Sequence, residues 1–144
     1  MKEWNGPSLR DLDLDNYTMC FACGRDNPIG LKLKLQRDGE GVRTEFTPEE
    51  QHQGWPGVVH GGIITAILDE AMSYVPIFQG LNCVTAKMEI RLHNAARVGQ
   101  KLLVSSRITR KTRKLIEARA EMVLEDSTPI AEGKSIMYIV EEAQ

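Results

Sequence analysis

Hydrophobic and polar positions alternate along this chain with two different periods. Leu31, Leu33 and Leu35 are interleaved with Lys32, Lys34 and Gln36. A period of two marks a strand with one buried face. Arg37-Asp38-Gly39-Glu40-Gly41 reads as a hairpin turn, after which Val42, Thr44 and Phe46 resume the alternation. Residues 47–59 carry Pro48, Gly54, Pro56 and Gly57 and read as a loop. The period then lengthens. Ile63, Ile64, Ile67, Leu68, Ala71, Met72 and Val75 fall at helical spacing and predict a helix that no proline interrupts until Pro76. From Ile63 to Leu68 it is apolar on nearly every side, which predicts deep burial.

Past Gln79-Gly80 the period of two returns. Val84, Ala86, Met88, Ile90 and Leu92 share one predicted face, and Lys87, Glu89, Arg91 and His93 share the other. Leu102, Val104 and Ile108 are in phase over residues 101–109. After a turn at Lys111-Thr112-Arg113-Lys114, Ile116, Ala118, Ala120, Met122 and Leu124 alternate with charged residues. Asp126-Ser127-Thr128-Pro129 turns the chain again, and residues 130–140 carry apolar side chains on both faces, as a central strand does. Strands grouped around one helix argue for an α+β fold rather than alternating β/α units. The pattern is met by one antiparallel sheet of about six strands wrapped around one long central helix. Residues 1–30 read as a lead-in, rich in turn formers from Cys20 onward, and residues 31–144 as the domain. The outward row Val123, Ile136, Tyr138 and Val140 is not polar, so association into a dimer is expected.

Composition narrows the function. The chain has 144 residues, 42% hydrophobic and 26% charged, with a formal net charge of −2. Such a balance gives no overall basic field for nucleic acid or anionic lipid, and no aromatic-basic interleaving suggests either partner. The acidic, polar start lacks a signal-peptide core, and no run reaches the ~20 apolar residues of a membrane span. A cytoplasmic location is the expectation. Cys20-x-x-Cys23 has the spacing of half a zinc site, but no second cysteine pair follows and Cys83 is distant. A tight turn packing two small side chains is the reading adopted, with no metal and no cofactor.

The segment Gly57-Val58-Val59-His60-Gly61-Gly62 before the apolar helix carries the chemistry. Glycines at a helix start let a ligand approach the backbone, and first-turn N–H groups lack intrahelical partners. They can polarise a carbonyl or hold an oxyanion. Asp69 and Glu70 follow in the helix, about 100° apart around its axis, so they do not share one environment. The residues alone leave open which of the two faces a cleft.

The run GWPGVVHGGIITAILDE resembles the hallmark of hotdog-fold thioesterases of the phenylacetate-degradation type. That hallmark is a Gly, two residues, His-Gly-Gly, six residues, then a catalytic acid. Val84 to Ile90, Val98-Gly99-Gln100 and Ala131-Glu132-Gly133 resemble later parts of the same family, so the likeness spans roughly residues 30–140. The resemblance implies acyl-CoA hydrolysis in a homodimer or dimer of dimers. It implies Asp69 as nucleophile or general base, acting on a thioester bound across the dimer interface. It implies the Gly61 N–H as the group that polarises the thioester carbonyl, with Gly62 beside it. Thr85 matches a position that helps hold the attacking water, and His60 shapes the loop or touches the carbonyl region. Coenzyme A phosphates are expected on the basic residues Lys111, Arg113 and Lys114, with Arg107 and Arg110 nearby; Arg91 and His93 are further candidates.

One position departs from the family. Many relatives carry a polar side chain six residues before the motif histidine, where this chain has Gly54. Two other readings follow: a non-catalytic acyl-CoA-binding module, and an enoyl-thioester hydratase or dehydratase. The latter requires a histidine in a context that His60 does not match.

Overall fold

A computed structural model describes residues 18–142 of the chain. Six strands form one antiparallel sheet, in the order β1-β2-β4-β5-β6-β3. They are β1 (Gln36–Asp38), β2 (Gly41–Phe46), β3 (Leu81–Leu92), β4 (Leu102–Lys111), β5 (Leu115–Leu124) and β6 (Pro129–Glu142), with one long helix, α1 (Gly61–Phe78). The helix packs against β2 through β6, and the sheet wraps around it. This is the hotdog arrangement that the hydrophobic pattern and the family likeness led us to expect.

The core is where the two periodicities meet. Ile64, Ile67, Leu68, Ala71, Met72 and Val75 of α1 are buried, as are Val42, Leu102, Val104, Ile116, Ala118, Ala120, Met122 and Met137 of the strands. Truncating such a residue to Ala costs about 2–5 kcal/mol. Gly133 sits under the helix. A Cβ there would stand 3.0 Å from Ile90 Cδ1 and 3.1 Å from Met72 Cε. The Ser106 hydroxyl of β4 donates to the Ala71 carbonyl at 2.6 Å, tying the middle of the helix to the sheet. By length and composition α1 could pass for a membrane span. Its apolar side is instead enclosed by the strands.

Two expectations change, and two features are new. Leu31 to Leu35 do alternate in burial, but they are not a sheet strand. Lys32 adopts φ +53°, which breaks extended geometry. The Leu31 and Leu33 N–H groups donate to the Phe21 and Ala22 carbonyls, so this segment pairs with the lead-in instead. The helix does not stop at Pro76, which lies inside its last turn. The rings of Tyr74 and Phe78 meet edge to face at 5.6 Å, and Arg37 donates to the Phe78 carbonyl, so the final turn persists. In β3 the phase slips at Ala86, where the register jumps from Thr85↔Met137 to Lys87↔Ile136. Cys83, Met88 and Ile90 therefore pack on the core, and Val84 does not. Finally, β3 is an edge strand, and Thr85, Ala86 and Lys87 are exposed in the single chain.

Candidate active site

The helix mouth is set by a histidine cap. His60 precedes α1 with extended backbone (φ −61°, ψ 133°). Its Nδ1 accepts the Gly62 N–H at 2.8 Å, and its carbonyl accepts from Ile63 and Ile64. The Nδ1 lone pair is thereby engaged. Gly62 is required by this cap: a Cβ there would lie 2.9 Å from His60 Nδ1. The Gly61 N–H, by contrast, has no acceptor among the described residues. Of the two glycines, only Gly61 presents a free first-turn donor. The Gly62 N–H, which we expected to face substrate, is occupied.

Gly54 is packed against that histidine. A Cβ at Gly54 would meet His60 Cα at 3.3 Å and Cδ2 at 3.4 Å. The ring of His60 fills the space beside the position where relatives carry a polar side chain. The polar residues just before it, Gln53 and His52, do not replace that side chain. Gln53 accepts the Gly57 N–H and donates to the Glu50 carbonyl at 2.7 Å. His52 is buried, its Nδ1 accepts the Glu49 N–H at 2.9 Å, and its ring meets Phe46. Both serve the loop around the single turn at Glu50–His52.

The two helix carboxylates point into different surroundings. Asp69 faces β3. Burial raises its carboxyl above the ordinary value, and a hydrogen bond with the Thr85 side chain opposes that rise. Its Oδ1 is buried with no hydrogen-bond partner. A buried acceptor left unsatisfied is uncommon and costs of order 1–3 kcal/mol. The β-bulge at Ala86 makes the Thr85 contact possible, because it turns Thr85 inward in phase with Cys83 and Met88. Bulges recur beside active sites because they re-aim one side chain.

Glu70 turns instead toward the lead-in, where the Cys20 thiol lies 3.8 Å from its Oε1. Burial raises its carboxyl, Cys23 and Cys20 oppose the rise through hydrogen bonds, and the Asp69 charge adds to it. Sequence reasoning separated the two acids correctly but did not find the partners of Glu70. Cys20 lies 50 residues from Glu70 and Cys23 lies three residues nearer, and the Cys-x-x-Cys spacing was the only sign of them.

The remaining predicted residues fall into two groups. Arg91 and His93 lie toward the end of β3 nearest the helix mouth, where Leu92 approaches Gly61, and both face Glu132, at 4.0 and 3.6 Å. Lys111, Arg113 and Lys114 form the exposed β4–β5 hairpin tip, which lies near Cys83 at the other end of β3. Leu92 lies nine strand steps beyond Cys83, a span of about 30 Å. The structure therefore does not bring the tip to the helix mouth of its own chain. Nor does it bring Gly61 to Asp69, which is eight residues and about 12 Å further along the helix. Trp55 is exposed, while Tyr74 and Phe78 pack together at the helix end.

Known proteins share this architecture. The family model described as the thioesterase superfamily matches residues 56–131. A hypothetical thioesterase from Streptococcus pneumoniae, solved with coenzyme A, is 15% identical with a TM-score of 0.74, covering 78% of this chain and 88% of its own. The PaaI protein of the E. coli phenylacetic acid degradation operon is 18% identical with a TM-score of 0.74, covering 78% and 83%. Zebrafish thioesterase superfamily member 2 is 23% identical with a TM-score of 0.73, covering 89% and 99%. At these identities the likeness is one of fold. No curated protein sequence matches the chain.

Proposed function

From the premise that this chain belongs to the thioesterase superfamily, and is a thioester hydrolase, we propose that it hydrolyses acyl-CoA thioesters at a site built around Asp69. The observation that carries this reading is the buried, unpartnered Oδ1 of Asp69 beside the Thr85 hydroxyl. An acceptor left open there can hold a water for attack, or attack the thioester carbon itself. Thioesters are activated acyl groups, so a positioned carboxylate, a water and an oxyanion donor suffice.

The oxyanion donor is the Gly61 N–H, which is free while its neighbour is capped. About 12 Å of helix separates it from Asp69 of its own chain, so one carbonyl group cannot contact both. The site is therefore composite: Asp69 and Thr85 come from one subunit and Gly61 from its partner. The exposed β3 edge at Thr85 to Lys87 is where the second chain adds, giving a homodimer, which can pair again into a dimer of dimers. Coenzyme A lies along the basic surface, its phosphates on Lys111, Arg113 and Lys114 or on Arg91. The solved relative with coenzyme A supports a CoA ester as substrate.

Asp69→Asn tests the assignment. Hydrolysis across a panel of short, medium, long and aromatic acyl-CoAs should fall about 10²- to 10⁴-fold, with the oligomer intact by light scattering. An unimpaired Asp69→Asn enzyme removes Asp69 from the chemistry. Binding of acyl-CoA without turnover by the unmodified protein would instead establish a non-catalytic binding module.

A further inference from the structure

The lead-in meets the middle of α1 at a cluster that the proposed hydrolysis does not use. Residues 18–33 fold into a tongue whose turn is built by Cys20-Phe21-Ala22-Cys23-Gly24. The Gly24 N–H donates to the Cys20 carbonyl at 2.7 Å, and the Cys23 N–H donates to Cys20 Sγ at 3.4 Å. Gly24 admits no side chain, because a Cβ there would lie within 2.4–2.6 Å of backbone atoms of Thr18 and Cys20. The turn thus presents both sulfurs from one tight loop. On α1, Glu70 and Tyr74 are four residues apart and share a face. Cys20 Sγ lies 3.8 Å from Glu70 Oε1, and the Tyr74 hydroxyl donates to Cys23 Sγ at 3.2 Å.

We propose that Cys20, Cys23 and Glu70 bind one zinc ion, which staples the tongue to the helix that carries Asp69. The ligand atoms of all three residues lie within 4.8 Å of one another. Tetrahedral zinc, with Zn–S near ~2.3 Å, sets its sulfurs about 3.8 Å apart, so small side-chain rotations close the site. Two soft thiolates with one carboxylate select zinc over magnesium or calcium, which prefer oxygen alone. The N–H of Cys23 and the hydroxyl of Tyr74 both donate to the sulfurs, as outer groups do around bound zinc. Solvent supplies the fourth ligand, since Cys20, Cys23 and Glu70 are each only half-buried. The ion's role is structural: Asp69 faces β3 and takes no part in the site.

Cobalt(II) is the probe. The full chain, with any affinity tag removed and its thiols reduced, is titrated with cobalt and then with zinc. One cobalt per chain should bind, with a sulfur-to-metal charge-transfer band in the near ultraviolet and the visible bands of a tetrahedral ion; zinc should displace it. Cys23→Ser should abolish the charge-transfer band of a 1:1 complex. Glu70→Gln should weaken binding and shift the visible bands. Tyr74→Phe should weaken it about 10-fold, and Cys83→Ser should change nothing. If Cys23→Ser fails to fold, Glu70→Gln and the unmodified chain decide the matter. A folded wild-type chain that shows no cobalt–sulfur band, or a Cys20→Ser/Cys23→Ser double variant that keeps it, overturns the proposal. Asp69→Asn should keep the cobalt spectrum while losing hydrolysis, so the two readings can fail separately.

Discussion

Thr85 reaches Asp69 because the residue after it, Ala86, is pushed out of the β3–β6 ladder. With a regular register, the alternation running back from Ile90 and Met88 would point Ala86 inward and Thr85 to the opposite face. The bulge thus sets which side chain stands beside the carboxylate. Thr85→Ala should lower kcat about 10- to 100-fold with little change in KM, as loss of a group that orients a reacting partner does. Thr85→Ser should restore most of the rate. Equal losses in both variants would assign Thr85 to packing alone. Steady-state kinetics on one acyl-CoA is sufficient.

His60 is a helix cap in this structure, and Gly62 is its obligatory partner. His60→Ala should cost about 0.5–2 kcal/mol of stability, the usual range for a lost N-cap. His60→Asn should recover much of it, because asparagine is a strong N-cap residue. Gly62→Ala should destabilise by a similar amount, since its Cβ would displace the ring from the Gly62 N–H. Urea denaturation of the three variants gives the comparison. A fully stable His60→Ala would mean that the cap contributes nothing.

The elements of this fold were legible because their periods are long and unbroken. Ile67, Leu68, Ala71 and Met72 sit where a helix of period 3.6 must bury them, and all four are fully enclosed. Ile116, Ala118, Ala120 and Met122 do the same for period two. What sequence could not show is what one residue or one distant contact decides. A bulge at Ala86 adds a residue without a local signature, so Val84 was placed on the wrong face. Leu31 and Leu33 alternate correctly but bond to Phe21 and Ala22, a pairing that only the folded lead-in reveals. The separation of Asp69 from Glu70 follows from helix geometry, whereas the meeting of Glu70 with Cys20 and Cys23 depends on the path of the whole tongue. The resemblance implied a polar helper where Gly54 stands. The structure explains the glycine instead by the ring of His60 beside it.

Gly133 should tolerate alanine poorly and valine less well. The first new atom would press on Ile90 Cδ1 at 3.0 Å and Met72 Cε at 3.1 Å, both ends of flexible side chains, with Leu68 Cβ at 3.7 Å behind them. Overpacking of this kind costs about 1–3 kcal/mol. Valine adds two further methyl groups and belongs at the upper end. Leu68 Cβ, at 3.7 Å, is only in ordinary contact with that atom, so Gly133→Ala should leave hydrolysis by the folded protein unchanged. Thermal melts and rates measured together check both expectations. A Gly133→Val protein as stable as the parent would show that the helix is free to lift from the sheet.

Cys83 offers a test of the sheet end near the basic hairpin. Burial pushes its thiol up from 9.0 to about 11, against the opposing charge of Lys111. Only the thiolate is nucleophilic. At pH 8 the native chain should therefore alkylate at Cys83 about 100-fold more slowly than the unfolded chain, with the rate climbing as pH approaches 11. Lys111→Ala should slow it further, because the charge of Lys111 lowers the thiol. The sign for stability follows from the same shift. Between pH 9 and about 11 the folded state keeps the Cys83 proton that the unfolded state has lost. This group's contribution is thus fully present below pH 9 and is lost as pH rises through about 11. Cys83→Ala should flatten that part of the stability profile. Peptide mapping by mass spectrometry separates Cys83 from Cys20 and Cys23, and alkylation of Cys83 at the unfolded rate at pH 8 would contradict its burial.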